Sequence, residues 1–271
     1  MNRYSPRTSG TNTVNNFGRA SAYPATWGLG SGGNTTGTIT DGGTNYTLHT
    51  FTSDGTFTVT RAGVFELFLC GGGGGPGTNF IGRTYGDSGG TGAAITICKM
   101  VLPKGTYDVD VGAAAANSVF ANATDYQVIA VRGNAGGSTG EFQYGPDTSP
   151  PLTKLTVSSG YPSNGRDADT AIMPIGRVGQ STAVKAYDVQ LYDGKKSVST
   201  SGGSALDGVS LTFSGSAYNY GSGGAYSSGQ QGTGAGARSV SSSKYGAGGG
   251  GGDSNGGNTA GYQGIVMIRY R

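Results

Sequence analysis

One histidine, His49, and two cysteines, Cys70 and Cys98, are all the imidazole and thiol groups in this 271-residue chain. They are too few and too scattered for a zinc site, which gathers three or four such ligands. One possible cysteine pair is no disulfide framework, and each cysteine sits in a strand-like run, LFLC and ITIC, where it reads as a small buried hydrophobe. Charge is equally scarce. Only 12% of residues are charged and the net charge is +3, with lysines and arginines dispersed, so no surface for nucleic acid or anionic membrane is expected. No apolar run approaches the length of a membrane span, and MNRYSPRTSGTNTVNNFG at the start holds no apolar leader core, so neither membrane insertion nor a secretion signal is expected. Every window of helix length meets glycine or β-branched clusters, which leaves an all-β fold.

Glycine is what the chain has instead, 55 residues of it, without a collagen repeat. The run VFELFLC (64–70), apolar on both faces, stops in five glycines, and the texture returns at 248–252 before the closing run GIVMIRYR. Such a tract is tolerable only where backbones approach closely or stay flexible. Composition allows either flexible loops or extended polyproline-II-like rods with lateral hydrogen bonds. The expected architecture is an antiparallel β-sandwich, jelly-roll-like, with long glycine-rich and polyglycine-II-like loops. Residues 1–45, nearly without periodicity, read as an N-terminal arm: either a disordered terminus or an extended segment that docks on a neighbouring subunit or a larger particle, anchored by Tyr23 and Trp27. Residues 46–271 form the sandwich, with an inserted lobe over roughly 141–215.

Alternation supplies the strands. YTLHTFTS and TFTVT flank Asp54-Gly55 as a hairpin, and AITICKMVL and TYDVDVG flank Pro103-Lys104-Gly105 as a second. Phe57, Val59, Tyr107, Val109, Ile265 and Met267 are the expected inward members of one core. Runs 64–70 and 264–270 carry more apolar surface than one sandwich hides, which predicts subunit contacts in a homo-oligomer.

Chemistry-bearing strings fail on context. GDSGG (86–90) follows His49 as in chymotrypsin-like proteases, but the spacing is too short for the intervening barrel. Poly-glycine matches any phosphate-loop spacing, and no GK[ST] follows, so no nucleotide cofactor is expected. GGGGGDSN (248–255) is one copy of a calcium repeat that works only in tandem. Asn34, Asn45 and Asn122 head glycosylation triplets by coincidence of composition. Glu66, in an apolar strand, is expected to face solvent or a subunit. No catalytic, cofactor or metal site is expected. The surviving signal is aromatic: Tyr218, Tyr220, Tyr226 and Tyr245 alternate with Gly and Ser, a mixture that serves either as a binding surface or as the stitching of glycine loops.

HTFTSDGTFTV (49–59), the strand 64–69 entering glycines 71–75, and the closing GIVMIRY together resemble the glycine-rich domains of bacteriophage tail-fibre and minor tail proteins over 46–271. That resemblance implies a virion protein, often trimeric, held to other virion proteins by the N-terminal arm. Its glycine-rich loops would touch a glycan or protein of the host surface, with Tyr218, Tyr220, Tyr226 and Tyr245 as receptor contacts. A capsid decoration or head-fibre protein without receptor role is the alternative, and a glycan-degrading tail spike ranks last, since no carboxylate spacing recommends it.

Overall fold

The computed structural model describes residues 26–75, 90, 92–122, 124, 126–133, 186–192, 208–224, 244–250 and 260–271. Among them there is no helix. Thirteen strands follow in order: β1 (Leu29–Gly32), β2 (Thr35–Asp41), β3 (Thr44–Phe51), β4 (Gly55–Arg61), β5 (Gly63–Cys70), β6 (Ile95–Leu102), β7 (Gly105–Asp110), β8 (Ser118–Phe120), β9 (Val128–Ala130), β10 (Ala186–Tyr192), β11 (Val209–Leu211), β12 (Tyr218–Tyr220) and β13 (Ile265–Tyr270). A six-stranded antiparallel sheet in the order β10-β6-β5-β13-β3-β2 packs on a five-stranded one, β1-β4-β7-β8-β9, and β11 pairs with β12 in a separate ribbon. The result is an antiparallel β-sandwich.

Strand β5 lies inside the larger sheet, between β6 and β13, with all eight residues buried. Its parity divides the molecule into two cores. Phe65, Leu67 and Leu69 point between the sheets with Met100, Phe57, Val109, Phe120, Val266 and Ile268. Phe68 and Cys70 point the other way, under the β11–β12 ribbon, with Phe213, Tyr220, Ile265 and Met267. Phe57, Val59, Tyr107 and Val109 therefore occupy the expected core, whereas Ile265 and Met267 are buried on the opposite face. A strand apolar on both sides carries no alternation from which to read its register. The ribbon also covers the apolar surplus that argued for subunit contacts; Leu29, 39% exposed, is the large apolar side chain left at the surface among the described residues.

Both expected hairpins are instead crossovers between sheets. β3 pairs with β2 and β13, while β4 pairs with β1 and β7. Neither Asp54 nor Gly55 takes the positive φ that a two-residue hairpin turn demands. Side chains hold the corner: Asn34 Oδ1 accepts from the Thr52 and Ser53 amides, and Asp54 Oδ1 from Val111 N at 2.7 Å. β6 and β7 likewise lie in different sheets. Pro103 cannot donate to the β6 ladder, and its carbonyl accepts from Tyr107 Oη at 2.9 Å across the corner.

The sandwich also begins earlier than the boundary at residue 46. β1 and β2 are edge strands of the two sheets, and Trp27 bridges to Val64 while its ring meets Tyr46 and the Arg271 guanidinium. Tyr23 lies outside the described residues. From the lobe expected over 141–215, β10 joins the edge of the larger sheet and β11 roofs it, so these pieces belong to the sandwich. Cys70 and Cys98 are free and buried on opposite faces; burial pushes the Cys98 thiol up to about 12 and Cys70 further, so neither is a nucleophile.

Candidate functional site

The molecule has two unlike ends. Val64, at the start of β5, meets Trp27, and Tyr270 lies at the same end of β13. Cys70, at the other end about 25 Å away for an eight-residue strand, runs into the glycines. There residues 71–75, 90, 92–94, 112–117, 131–133, 221–224, 244–250 and 260–264 are joined by backbone hydrogen bonds outside any ladder.

Three successive amides of the first segment donate to three different neighbours: Gly71 to Ala94, Gly72 to Ala116 and Gly73 to Tyr262. A strand directs its groups to two sides; a helix of three residues per turn directs them to three. The segment behaves as the second, and Gly133, Ala115 and Gly249 donate back to the carbonyls of Gly72, Gly73 and Gly74. Of the two states composition allowed, the described glycines form the laterally bonded rods. A β-carbon on Gly72 would lie 1.8 Å from Ala113 O, one on Gly73 1.8 Å from Ala247 O, and one on Gly92 1.9 Å from Gly221 O. None of these three has a positive φ, so glycine is required here for space rather than for backbone conformation.

At the outer end of the bundle Gly249 N donates to Gly74 O, Gly90 N to Gly249 O, and Gly224 N to Gly90 O. Gly74, Gly90, Gly224 and Gly249 are thus gathered at one place. Residues 87 and 88 of the GDSGG string lie outside the described residues, as do Tyr226 and most of the calcium-like string.

Of the four tyrosines expected as contacts, the three described, Tyr218, Tyr220 and Tyr245, converge. The Tyr218 ring lies 4.7 Å from Tyr220 and 6.0 Å from Tyr245, and Tyr245 lies 5.9 Å from Tyr262. Tyr220 is 2% exposed and packs on Phe68 at 4.6 Å, so it belongs to the second core and offers no contact surface. Tyr218, Tyr245 and Tyr262 are half-buried, and Lys244 Nζ stands 5.3 Å over the Tyr218 ring. Burial pushes the Tyr218 phenol up to about 12, which keeps it a neutral hydrogen-bonding group. Tyr262 and Lys244 were not read as site residues; the only signal for them was adjacency to glycine segments that turn out to hydrogen-bond together. Replacing Tyr220 by Ser should cost about 3 kcal/mol through the cavity beside Phe68, whereas Tyr218→Ser and Tyr245→Ser should each cost under about 1.5 kcal/mol. Chemical denaturation of the three variants distinguishes core from strip.

His49 is structural. It is 3% exposed, its Nδ1 lies 2.8 Å from Gly32 O, and its ring stacks on Tyr270. Burial lowers its pKa below 6.5, against the opposing pull of the Gly32 carbonyl. The unfolded chain therefore binds a proton first, and stability present above about pH 6.5 is lost as pH falls below it. Melting temperature should drop between about pH 7 and pH 5.5 in the native chain and respond less in His49→Gln; equal slopes would remove the histidine from the account.

Glu66 is 8% exposed. It lies on the outer face of the larger sheet in a row of opposite charges. Arg269 Nε donates to its Oε2 at 2.6 Å and Arg269 Nη1 reaches Asp41 at 2.8 Å; Lys99 Nζ sits 2.9 Å from Asp188 and 3.8 Å from Glu66 Oε1. Registers Glu66↔Arg269 and Glu66↔Lys99 impose the row, which no reading of β5 alone could supply.

A family model described as a glycine-rich domain matches residues 50–271. No curated protein matches the chain.

Proposed function

We propose, from the premise that the chain belongs to the glycine-rich domain family, that it is a bacteriophage virion protein, a tail-fibre or tail-tip component that recognises the host surface. The supporting observation is the gathering of Gly74, Gly90, Gly224 and Gly249 at one hydrogen-bonded end, opposite the end where residue 26 enters the sandwich. A glycine-rich surface at one end of a rigid scaffold and attachment at the other suit a recognition tip, and many copies on one particle turn modest contacts into avidity. In this reading the N-terminal residues bind other virion proteins, and the half-buried strip of Tyr218, Tyr245 and Tyr262 flanks the tip. The burial of Tyr220 favours a second reading, capsid decoration without receptor role. Homotrimerisation rests on the family resemblance, since the apolar face that argued for it is covered within the chain.

The purified chain should adsorb to host bacteria and block infection by the particle, and antibody against it should label the tail tip in electron micrographs. Label on the capsid, with no blocking, would replace the first reading by the second.

A further inference from the structure

The row of charges floors a cleft of about 460 Å³, walled by β10 on one side and by the β11–β12 ribbon on the other. Its carboxylate floor is incompletely used. Glu66 Oε2 accepts from Arg269 Nε, but among the described residues Oε1 accepts no hydrogen bond and meets Lys99 Nζ only at 3.8 Å, beyond hydrogen-bond reach. Among the described residues the one fully buried side-chain oxygen or nitrogen without a partner is Ser222 Oγ, so water in the cleft reaches Glu66 Oε1, and a ligand hydroxyl can take that water's place.

We propose that this cleft binds a neutral saccharide, one of whose hydroxyls donates to Glu66 Oε1. The lining carries three carboxylates, Asp41, Glu66 and Asp188, against two cations, Lys99 and Arg269, a formal balance of −1. Each cation already touches a carboxylate, so an anionic ligand meets surplus negative charge. A cationic ligand competes with two tethered cations for the same oxygens. An apolar ligand would bury Oε1 with no partner at all. A sugar hydroxyl avoids all three penalties, because it donates to the carboxylate while its own lone pairs face Lys99.

The floor is also held in place for such a ligand. The Arg269 guanidinium is clamped between the rings of Tyr46 and Phe213, at 4.3 and 4.1 Å, and its Nη1 is shared by Asp41 and the Phe213 carbonyl. Glu66 is thereby fixed in orientation, and little order has to be created on binding. Exposed Gln190 and Thr212 at the rim add polar groups of both kinds, and the volume accommodates roughly one or two pyranose rings. The inference stands whether or not the chain rides on a phage particle.

The test is saturation-transfer NMR on the full chain with the methyl glycosides of glucose, galactose and N-acetylglucosamine. Each is used at about 10 mM, enough to show millimolar affinity, with N-acetylneuraminic acid as the anionic comparator. At least one neutral glycoside should receive saturation. The signal should fall by about tenfold, the equivalent of 1.4 kcal/mol, in Glu66→Gln and in Gln190→Trp. The second variant fills the cleft from its exposed rim without touching the Glu66–Arg269 pair, and so keeps the test valid if Glu66→Gln fails to fold. Silence from all three neutral glycosides overturns the proposal. So does a signal undiminished in Gln190→Trp, or stronger binding of N-acetylneuraminic acid than of any neutral sugar.

Discussion

Gly72→Val should fail to fold to a soluble product, while Gly75→Ala, three residues along the same tract, should melt where the native chain does. The two glycines are indistinguishable in sequence and opposite in surroundings. A β-carbon on Gly72 meets Ala113 O at 1.8 Å and Ala113 C at 2.7 Å, whereas one on Gly75 meets nothing within 4 Å. The obstacle at Gly72 is backbone, and a carbonyl cannot swing aside as a side chain can. Relief requires the rods to part, which stretches the bonds from Gly72 N to Ala116 O at 2.8 Å and from Gly133 N to Gly72 O at 2.9 Å. Overpacking alone costs about 1–3 kcal/mol, and two weakened backbone bonds add about 1 kcal/mol each. A sum near 4 kcal/mol is a large part of a domain's whole stability. Thermal melts of the two variants decide the matter. A Gly72→Val protein that melts within about 2 °C of the native chain would mean the rods are loosely packed.

That contrast also marks where sequence stops being legible. The glycine tract announces close approach or flexibility, but which carbonyl stands behind which glycine depends on segments brought together from opposite ends of the chain, as Gly73 meets Ala247. Strand positions were readable because alternation is local. Phe57, Val59, Tyr107 and Val109 face the expected core for that reason. Pairing was not readable: Asp54-Gly55 and Pro103-Lys104-Gly105 look like hairpin turns, and only the long-range partners of β4 and β7 reveal crossovers. β13 shows the same limit within one strand. With Ile265, Val266, Met267 and Ile268 all apolar, nothing local says which face meets the second sheet. Tyr220 was misjudged as surface for the converse reason, since its glycine and serine neighbours hide the fact that Phe68 lies beneath it.

Arg269→Ala should destabilise the chain by about 3–5 kcal/mol, the cost of removing one partner from a buried ion pair. The guanidinium serves Glu66 Oε2 at 2.6 Å, Asp41 Oδ2 at 2.8 Å and the Phe213 carbonyl at 2.8 Å, and two aromatic rings cover its faces. Truncation strands a carboxylate on Glu66, which is only 8% exposed and whose remaining cation, Lys99, stands 3.8 Å away. It also removes the filling between Tyr46 and Phe213. Arg269→Lys should recover only part of the loss, because one ammonium cannot reach three acceptors or lie flat between rings. The informative variant is the double one. Arg269→Leu with Glu66→Leu removes both charges together and replaces them with apolar volume on a face already lined by Phe68 and Met267. Buried ion pairs exchanged in this way are often neutral or better in stability, so the double variant should unfold at higher denaturant than Arg269→Ala. Its midpoint decides what the pair is for. A double variant as stable as the native chain assigns Glu66 and Arg269 to the cleft they floor. One no better than the single variant makes the pair a structural joint between β5 and β13. A loss below about 1 kcal/mol in Arg269→Ala would place the pair with ordinary surface bridges instead.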